Sequence, residues 1–343
     1  MKTVVLKGPC TVKSNGNASV MGIDFEQVTL PEGTYTVCYE GELQHNCEAL
    51  ATDVQCWDLI ARELATTSGK FVVLGPGDTG KSYFAKTLIN LGAAEVLVDA
   101  DVGQNSLFLP GFIASVASSR VKGKLKFHHL TFDELKFFGS IKPSTNPRLH
   151  AEQVSSLVKK SAVVDLDGWV HGFMAFRHKL ETIELVDPDY IVVTDKRIAE
   201  AIKSLGKRVV SLETPPVISK RDRERRRAFR AMAYRAYFMG SKRHREDVSK
   251  IAGMRLAEGL FEAFGEAVET TGECLADYVV NVDRLYAGLT LNGRVIGAGL
   301  LTVKGDEAFV ESPVDKFDGT ILGNYRLNEF YEELPYSFRK CRE

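Results

Sequence analysis

Residues 75–82 read Gly-Pro-Gly-Asp-Thr-Gly-Lys-Ser, directly after the apolar run Phe71-Val72-Val73-Leu74. The spacing is that of a phosphate loop, G-x-x-x-x-G-K-S. Successive backbone N–H groups in such a loop wrap a polyphosphate, and the helix that follows points its positive end at it. Gly75, Pro76, Gly77, Asp78, Thr79, Gly80 and Tyr83 would line a nucleotide. Lys81 would reach its β- and γ-phosphates, and Ser82 would ligate Mg²⁺. A helical pattern through Tyr83, Leu88 and Leu91 supplies the context the motif needs.

About twenty residues on, Val98-Asp99-Ala100-Asp101 ends the next apolar run. On an extended strand end, acids at i and i+2 point the same way. One can serve a metal, and the other can take a proton from an attacking hydroxyl. The competing reading makes Asp101 a turn or cap residue. Phe138–Asn146 is a strand followed by small hydroxyl residues, placed either to cap the next helix or to meet a ligand at a sheet's carboxyl end. In Asp165-Leu166-Asp167-Gly168-Trp169, the tryptophan is either core or a platform on which a base stacks. The segment holding Arg221, Arg223, Arg225, Arg226, Arg227, Arg230 and Arg235 also carries Phe229, Met232, Ala233, Ala236 and Tyr237. Such a helix can be a solvated or membrane-facing surface. Its richness in arginine over lysine, after the last strand of a phosphate-loop domain, favours a lid that grips phosphates bidentately.

These groups need a scaffold. Apolar β runs at Phe71–Leu74, Val96–Asp99, Leu135–Phe138, Ala162–Leu166, Tyr190–Thr194 and Arg208–Leu212 alternate with helical stretches. That alternation predicts an α/β fold with a central parallel sheet of the P-loop type and helices on both faces. Short β patterns at Thr3–Leu6, Ala18–Met21 and Thr34–Tyr39 precede it. Others follow at Tyr278–Val282, Leu289–Leu291, Gly293–Val295, Leu300–Val303 and Thr320–Leu322. The expected partition is an N-terminal β domain (1–52), a P-loop domain (53–268, with the basic lid at 219–240) and a C-terminal β domain (269–343). Asp53 is the expected cap of a helix with apolar face Trp57, Ile60, Ala61 and Leu64. Asn146 is the expected cap of another, with Pro147 at its first position.

The net charge of −1 conceals an imbalance. Ser219–Arg245 holds eleven Lys/Arg against two Asp/Glu, which points to a polyanionic ligand there. Six cysteines form no C-x-x-C pair and are expected to be buried free thiols. No apolar run reaches membrane-spanning length, and the first residues lack a signal core. The expectation is an intracellular, cytoplasmic protein, or a nuclear one in a eukaryote.

Taken together, five segments resemble the polynucleotide 5′-hydroxyl kinase family. These are phosphate-loop RNA kinases related to the kinase subunit of the mRNA 3′-end cleavage machinery and to rRNA-processing kinases. The segments are Gly75–Ser82, Asp99–Gln104 with Pro110-Gly111, Phe138–Asn146, Asp167–Gly172, and the Arg-rich stretch ending Arg235-Ala236-Tyr237-Phe238-Met239-Gly240. The resemblance implies ATP- and Mg²⁺-dependent phosphorylation of an RNA 5′-OH, with DNA as a further acceptor. By it, Lys81 contacts the migrating phosphate, Ser82 and Asp99 serve the metal, and Asp101 is the base, an assignment that could be reversed between the two acids. Gln104, Lys142, Pro143, Ser144, Asn146 and Trp169 hold the RNA end. Arg226, Arg227 and Arg230 close over the phosphates. The chain departs from the pattern at Ile141-Lys142 in the 139–146 loop. It departs again at Asp165-Leu166-Asp167, where the family often has Asn-Thr-Cys. The rivals are an ATP-bound scaffold in RNA processing and a GTP switch. The absence of an Asn-Lys-x-Asp motif counts against the second.

Overall fold

The computed structural model describes residues 1–126, 130–217, 221–246, 281–304 and 307–335. Six strands come first: β1 (Lys2–Ser14), β2 (Ala18–Val20), β3 (Ile23–Asp24), β4 (Gln27–Tyr39), β5 (Leu43–His45) and β6 (Glu48–Thr52). The middle of the chain forms α1 (Trp57–Leu64), β7 (Lys70–Leu74), α2 (Lys81–Leu91), β8 (Val96–Asp99), β9 (Phe112–Ala117), α3 (Ser118–Val121) and β10 (Glu134–Phe137). It continues with α4 (Pro147–Leu157), β11 (Ala162–Asp165), α5 (Phe173–Val186), β12 (Tyr190–Val193), α6 (Lys196–Lys203) and β13 (Val209–Ser211). Last come α7 (Arg223–Phe238), β14 (Lys242–Glu246), β15 (Asn281–Leu291), β16 (Arg294–Lys304), β17 (Glu307–Ser312), β18 (Gly319–Leu327) and β19 (Glu333–Pro335).

Two compact units result, each discontinuous in sequence. Unit 1 comprises Met1–Asp101, Ala114–Asp133 and Ala151–Arg221. Unit 2 comprises Val102–Ile113, Glu134–His150 and Asp222–Glu343.

Unit 1 begins with an antiparallel sheet ordered β3-β2-β4-β1-β5, with β6 also on β1. The long β1–β4 pair buries Val4, Leu6, Val12, Leu30 and Val37 in one core. Here the free-thiol expectation fails, because Cys10 pairs with Cys47 and Cys38 with Cys56 in disulfides. Strand pairing explains both. β6 returns along β1, with Leu6 opposite Ala49, and Cys47 just ahead of β6 falls alongside Cys10. Cys38 lies on β4 beside the start of α1, where Cys56 is the N-cap residue. Cys274 and Cys341 lie outside the described residues. Asp53 does not cap α1. It sits at φ 57°, before the helix begins at Trp57, and Cys56 occupies the cap with no side-chain bond.

The second sheet of unit 1 runs in the order β13-β12-β7-β11-β8-β9. Its first five strands are parallel, in register from Ile191↔Val209 to Asp165↔Asp99. Their cores, such as Val72-Val73-Leu74 and Val163-Val164, are fully buried, as a strand covered on both faces requires. The expected parallel sheet is therefore present, but it is not purely parallel. β9 pairs antiparallel with β8, Asp99 opposite Ala114. Ala114, Ser115 and Ala117 interrupt its apolar, β-branched character, so the sequence does not mark β9 as it marks its neighbours.

In unit 2, β15 and β16 form a hairpin through Asn292-Gly293, both with positive φ, as a two-residue turn requires. The strands expected at Leu289–Leu291 and Gly293–Val295 are the two sides of this turn. Those expected at Leu300–Val303 and Thr320–Leu322 fall within β16 and β18. Tyr278, Val279 and Val280 lie outside the described residues. β18 flanks β15, β17 and β10 flank β16, and β14 and β19 extend the edges. Phe108, Phe112, Tyr234, Tyr286 and Tyr325 fill the core behind them. Among the described residues no helix is long and apolar enough to cross a membrane.

Candidate active site

The phosphate loop joins β7 to α2 within unit 1. Gly75 has φ 151°, and a Cβ there would lie 2.0 Å from the Thr194 hydroxyl, so this position cannot carry a side chain. Thr79 Oγ1 donates to Pro76 O at 2.8 Å and pairs with Thr194 Oγ1 at 2.6 Å, bracing the loop on β12. Lys81 is 7 % exposed, and its Nζ donates to Pro76 O at 2.8 Å. The lysine thus lies folded on the loop it would serve.

Two residues expected to line the nucleotide turn elsewhere. Tyr83 packs on the N-terminal β core, and its hydroxyl donates to Thr36 O at 3.0 Å. It ties α2 to β4, so its side chain is engaged with the N-terminal β core and not with the phosphate loop. The Asp78 side chain is 4 % exposed and accepts from Arg221 Nε at 2.8 Å and Arg221 N at 3.0 Å. Asp78 therefore offers a phosphate its backbone, while its carboxylate anchors the residue just ahead of α7.

At the carboxyl ends of the neighbouring strands lie Asp165 on β11 and Asp99 on β8, in register with each other. Both are buried. β8 stops at Asp99, whose Oδ1 accepts the Asp101 amide at 3.1 Å. A turn, and not strand alternation, holds this pair of acids together. The sequence marks Asp165 only as a departure, yet it is the acid nearest the loop in strand order, since β11 lies between β7 and β8. Burial, then the charge of Asp99, push its carboxyl up to about 7. Lys81 and a hydrogen bond from Ser82 pull the other way. Asp165 Oδ1 is buried without a hydrogen-bond partner. The donor set around Ser82 consists of a hydroxyl and carboxylates, all hard oxygens, which fits Mg²⁺ and not a thiophilic metal. Burial holds Lys86, one turn along α2, below the usual ammonium range, against the pull of Asp99 and Asp165.

Trp169 is half-buried, with its ring 5.6 Å from that of His178 and tilted 30°. Its amide donates to Asp167 Oδ1 at 2.8 Å. Asp167 Oδ2 accepts from Lys179 on α5, and this pair is almost wholly buried. Burial lowers the Lys179 pKa, Asp167 raises it, and Lys81 and Asp101 also act on it. Sequence reasoning missed Lys179 because nothing local marks it.

Unit 2 carries Gln104 and the 139–146 loop. Ser140 Oγ accepts the Lys142 amide at 3.2 Å, Pro143 is buried, and Lys142 and Ser144 are exposed. Asn146 Oδ1 accepts the Leu149 amide at 3.1 Å, so the expected cap of α4 is present and that oxygen is engaged. On α7, Arg230 forks onto Glu333 at 2.6 and 2.9 Å, and Arg227 meets Glu332 at 3.1 Å. Each must exchange a carboxylate to take a phosphate. Arg226 lies on the same helix, half-buried.

A phosphate loop on a parallel sheet, with acids ending the next two strands, defines a P-loop nucleotide-using protein. Residues 75–240 match the model described as the mRNA cleavage and polyadenylation factor CLP1 P-loop. A polyribonucleotide 5′-hydroxyl-kinase of Pyrococcus furiosus is 29% identical over 286 residues, 77% of this chain and 76% of the relative. One of Methanocaldococcus jannaschii is 28% identical over 191 residues, 50% of this chain and 51% of the relative. The solved structure of a wild-type Clp1p–Pcf11p complex covers 95% of this chain and 96% of its own at a TM-score of 0.62. At 16% identity it speaks for the fold alone.

Proposed function

We propose that this protein transfers the γ-phosphate of ATP to the 5′-hydroxyl of an RNA end. The observation that carries the reading is the grouping of Lys81, Ser82, Asp99 and Asp165 at the carboxyl ends of β7, β8 and β11, with Asp101 one turn beyond. A pure nucleotide holder has no use for a second acid beyond the metal's; a kinase needs one aimed at an acceptor alcohol.

Backbone amides of residues 75–80 bind and orient the triphosphate, and Lys81 exchanges Pro76 O for the migrating phosphate. Ser82 and the strand-end acids would hold Mg²⁺, which supplies charge neutralisation at the phosphates. Asp101 accepts the proton of the 5′-hydroxyl at its carboxylate. Trp169 stacks on the terminal base, so little base specificity is expected. The family resemblance assigns Gln104, Lys142, Ser144 and Asn146 to the RNA end, and Arg226, Arg227 and Arg230 to the phosphates. Lys142 would meet an RNA phosphate as a point charge.

The test is incubation with γ-labelled ATP, Mg²⁺ and a short 5′-OH RNA, beside a 5′-phosphate RNA and the Lys81→Ala variant. Label on the 5′-OH strand alone, absent with Lys81→Ala, is the expected result. Bound ATP without transfer to RNA or DNA would leave the scaffold reading in its place.

A further inference from the structure

We propose that Asp165, through its unpartnered Oδ1 and in concert with the Ser82 hydroxyl, is the carboxylate that holds the divalent cation of the bound nucleotide. This assignment rests on the nucleotide-using reading above, and it moves the metal's acid from Asp99 to the neighbouring strand. Three observations carry it. The Asp165 side chain is nine-tenths and more buried, and its Oδ1 lies in the protein without a hydrogen bond, which is costly for a carboxylate unless a ligand completes it. The groups acting on it are those of the phosphate loop: the Ser82 hydroxyl bonds it and Lys81 attracts it. Finally, β11 is hydrogen-bonded to β7 with Asp165 opposite Val73, so this acid emerges next to the loop, whereas β8 lies one strand further away.

Asp99 is engaged differently. Its Oδ1 accepts the Asp101 amide and fixes the turn that presents the second acid. Asp99 is then a positioning residue for Asp101, and the metal's carboxylate and the base come from different strands. Mg²⁺ keeps several waters of its own, so Asp165 would hold it through one of them.

The experiment is calorimetric titration of the full chain with ADP, in MgCl₂ and again in EDTA, read as the ratio of the two affinities. No acceptor and no turnover are involved. Asp165→Asn should lower that ratio by roughly 10- to 100-fold, the range for removing a carboxylate that works through a metal's outer partner. Its affinity for ADP in EDTA should equal or exceed the wild type's, because a buried negative charge near the phosphates has gone. Asp99→Asn should keep the ratio. Ser82 is exposed, so Ser82→Ala leaves the core untouched and should lower the ratio as Asp165→Asn does, even if the latter proves unstable in a melt. A wild-type ratio in Asp165→Asn or in Ser82→Ala, its loss in Asp99→Asn alone, or no Mg²⁺ effect in the wild type would overturn the assignment. Transfer to 5′-OH RNA is scored separately. Its absence, with Asp165-dependent coupling intact, would remove the kinase reading and leave the cation site standing.

Discussion

Replacing Lys179 by Met tests whether the buried ion pair beneath Trp169 is what holds that tryptophan in place. Lys179 and Asp167 are 1% and 4% exposed at their side chains, and Asp167 also accepts the Trp169 amide. Removing the ammonium leaves a carboxylate in the interior without its cation, which costs about 3–5 kcal/mol. At about 2 °C per kcal/mol for a chain of this size, the melting temperature should fall by roughly 6–10 °C. The double variant Asp167→Asn with Lys179→Met removes both charges and keeps an amide oxygen for the Trp169 N–H. It should regain more than half of the loss. Calorimetric melts of the wild type, both singles and the double give the coupling directly. The chemical signature should match: Lys179→Met raises the RNA KM more than the ATP KM, and the double restores it. A Lys179→Met loss below about 1 kcal/mol, the level of a surface pair, would refute the reasoning. So would a double no better than the single.

Three further outcomes are expected. Trp169→Ala should cost about 1–3 kcal/mol of RNA binding, a KM rise of roughly 5- to 150-fold with ATP nearly unaffected; equal losses for both would end the stacking role. In metal-free buffer, Asp165, raised to about 7 by burial and by Asp99, binds a proton in the fold that the unfolded chain gives up near 3.8. The wild type should therefore lose stability as pH rises from about 4 through about 7. Asp165→Asn should become more stable than wild type above pH 7, by up to about 4 kcal/mol, with no difference below pH 4; parallel stability–pH curves would contradict this. Closing sequence separations of 37 and 18, the two disulfides should contribute about 4 and about 3 kcal/mol. Reduction should lower the melting temperature of the wild type but not of a Cys10→Ser/Cys38→Ser variant, and four reactive thiols at these positions in the unreduced native protein would rule the pairs out.

What can be read from the chain is whatever depends on near neighbours. The phosphate loop is legible because eight consecutive residues determine a backbone path. Asn146-Pro147 is legible because a cap acts within one turn. The strands β7, β8, β11 and β12 are legible as short buried apolar runs bounded by turn residues, Phe71–Leu74 and Ile191–Val193 among them.

What escapes reading depends on residues brought together from afar. The disulfides follow from the pairing of β1 with β4 and β6, which no cysteine spacing reveals. Tyr83 turns to Thr36, and Arg230 to Glu333, because of partners far along the chain. The acids show this most clearly. Along the sequence Asp99 follows the phosphate loop first, and proximity in sequence makes it the natural metal ligand. In the sheet β11 is inserted between β7 and β8, so the acid that comes later in the chain stands next to the loop. A motif names the residues able to do the chemistry, whereas the strand order divides the work among them. That is why Asp165, which sequence alone presents as a mere departure, becomes the residue whose replacement is most informative.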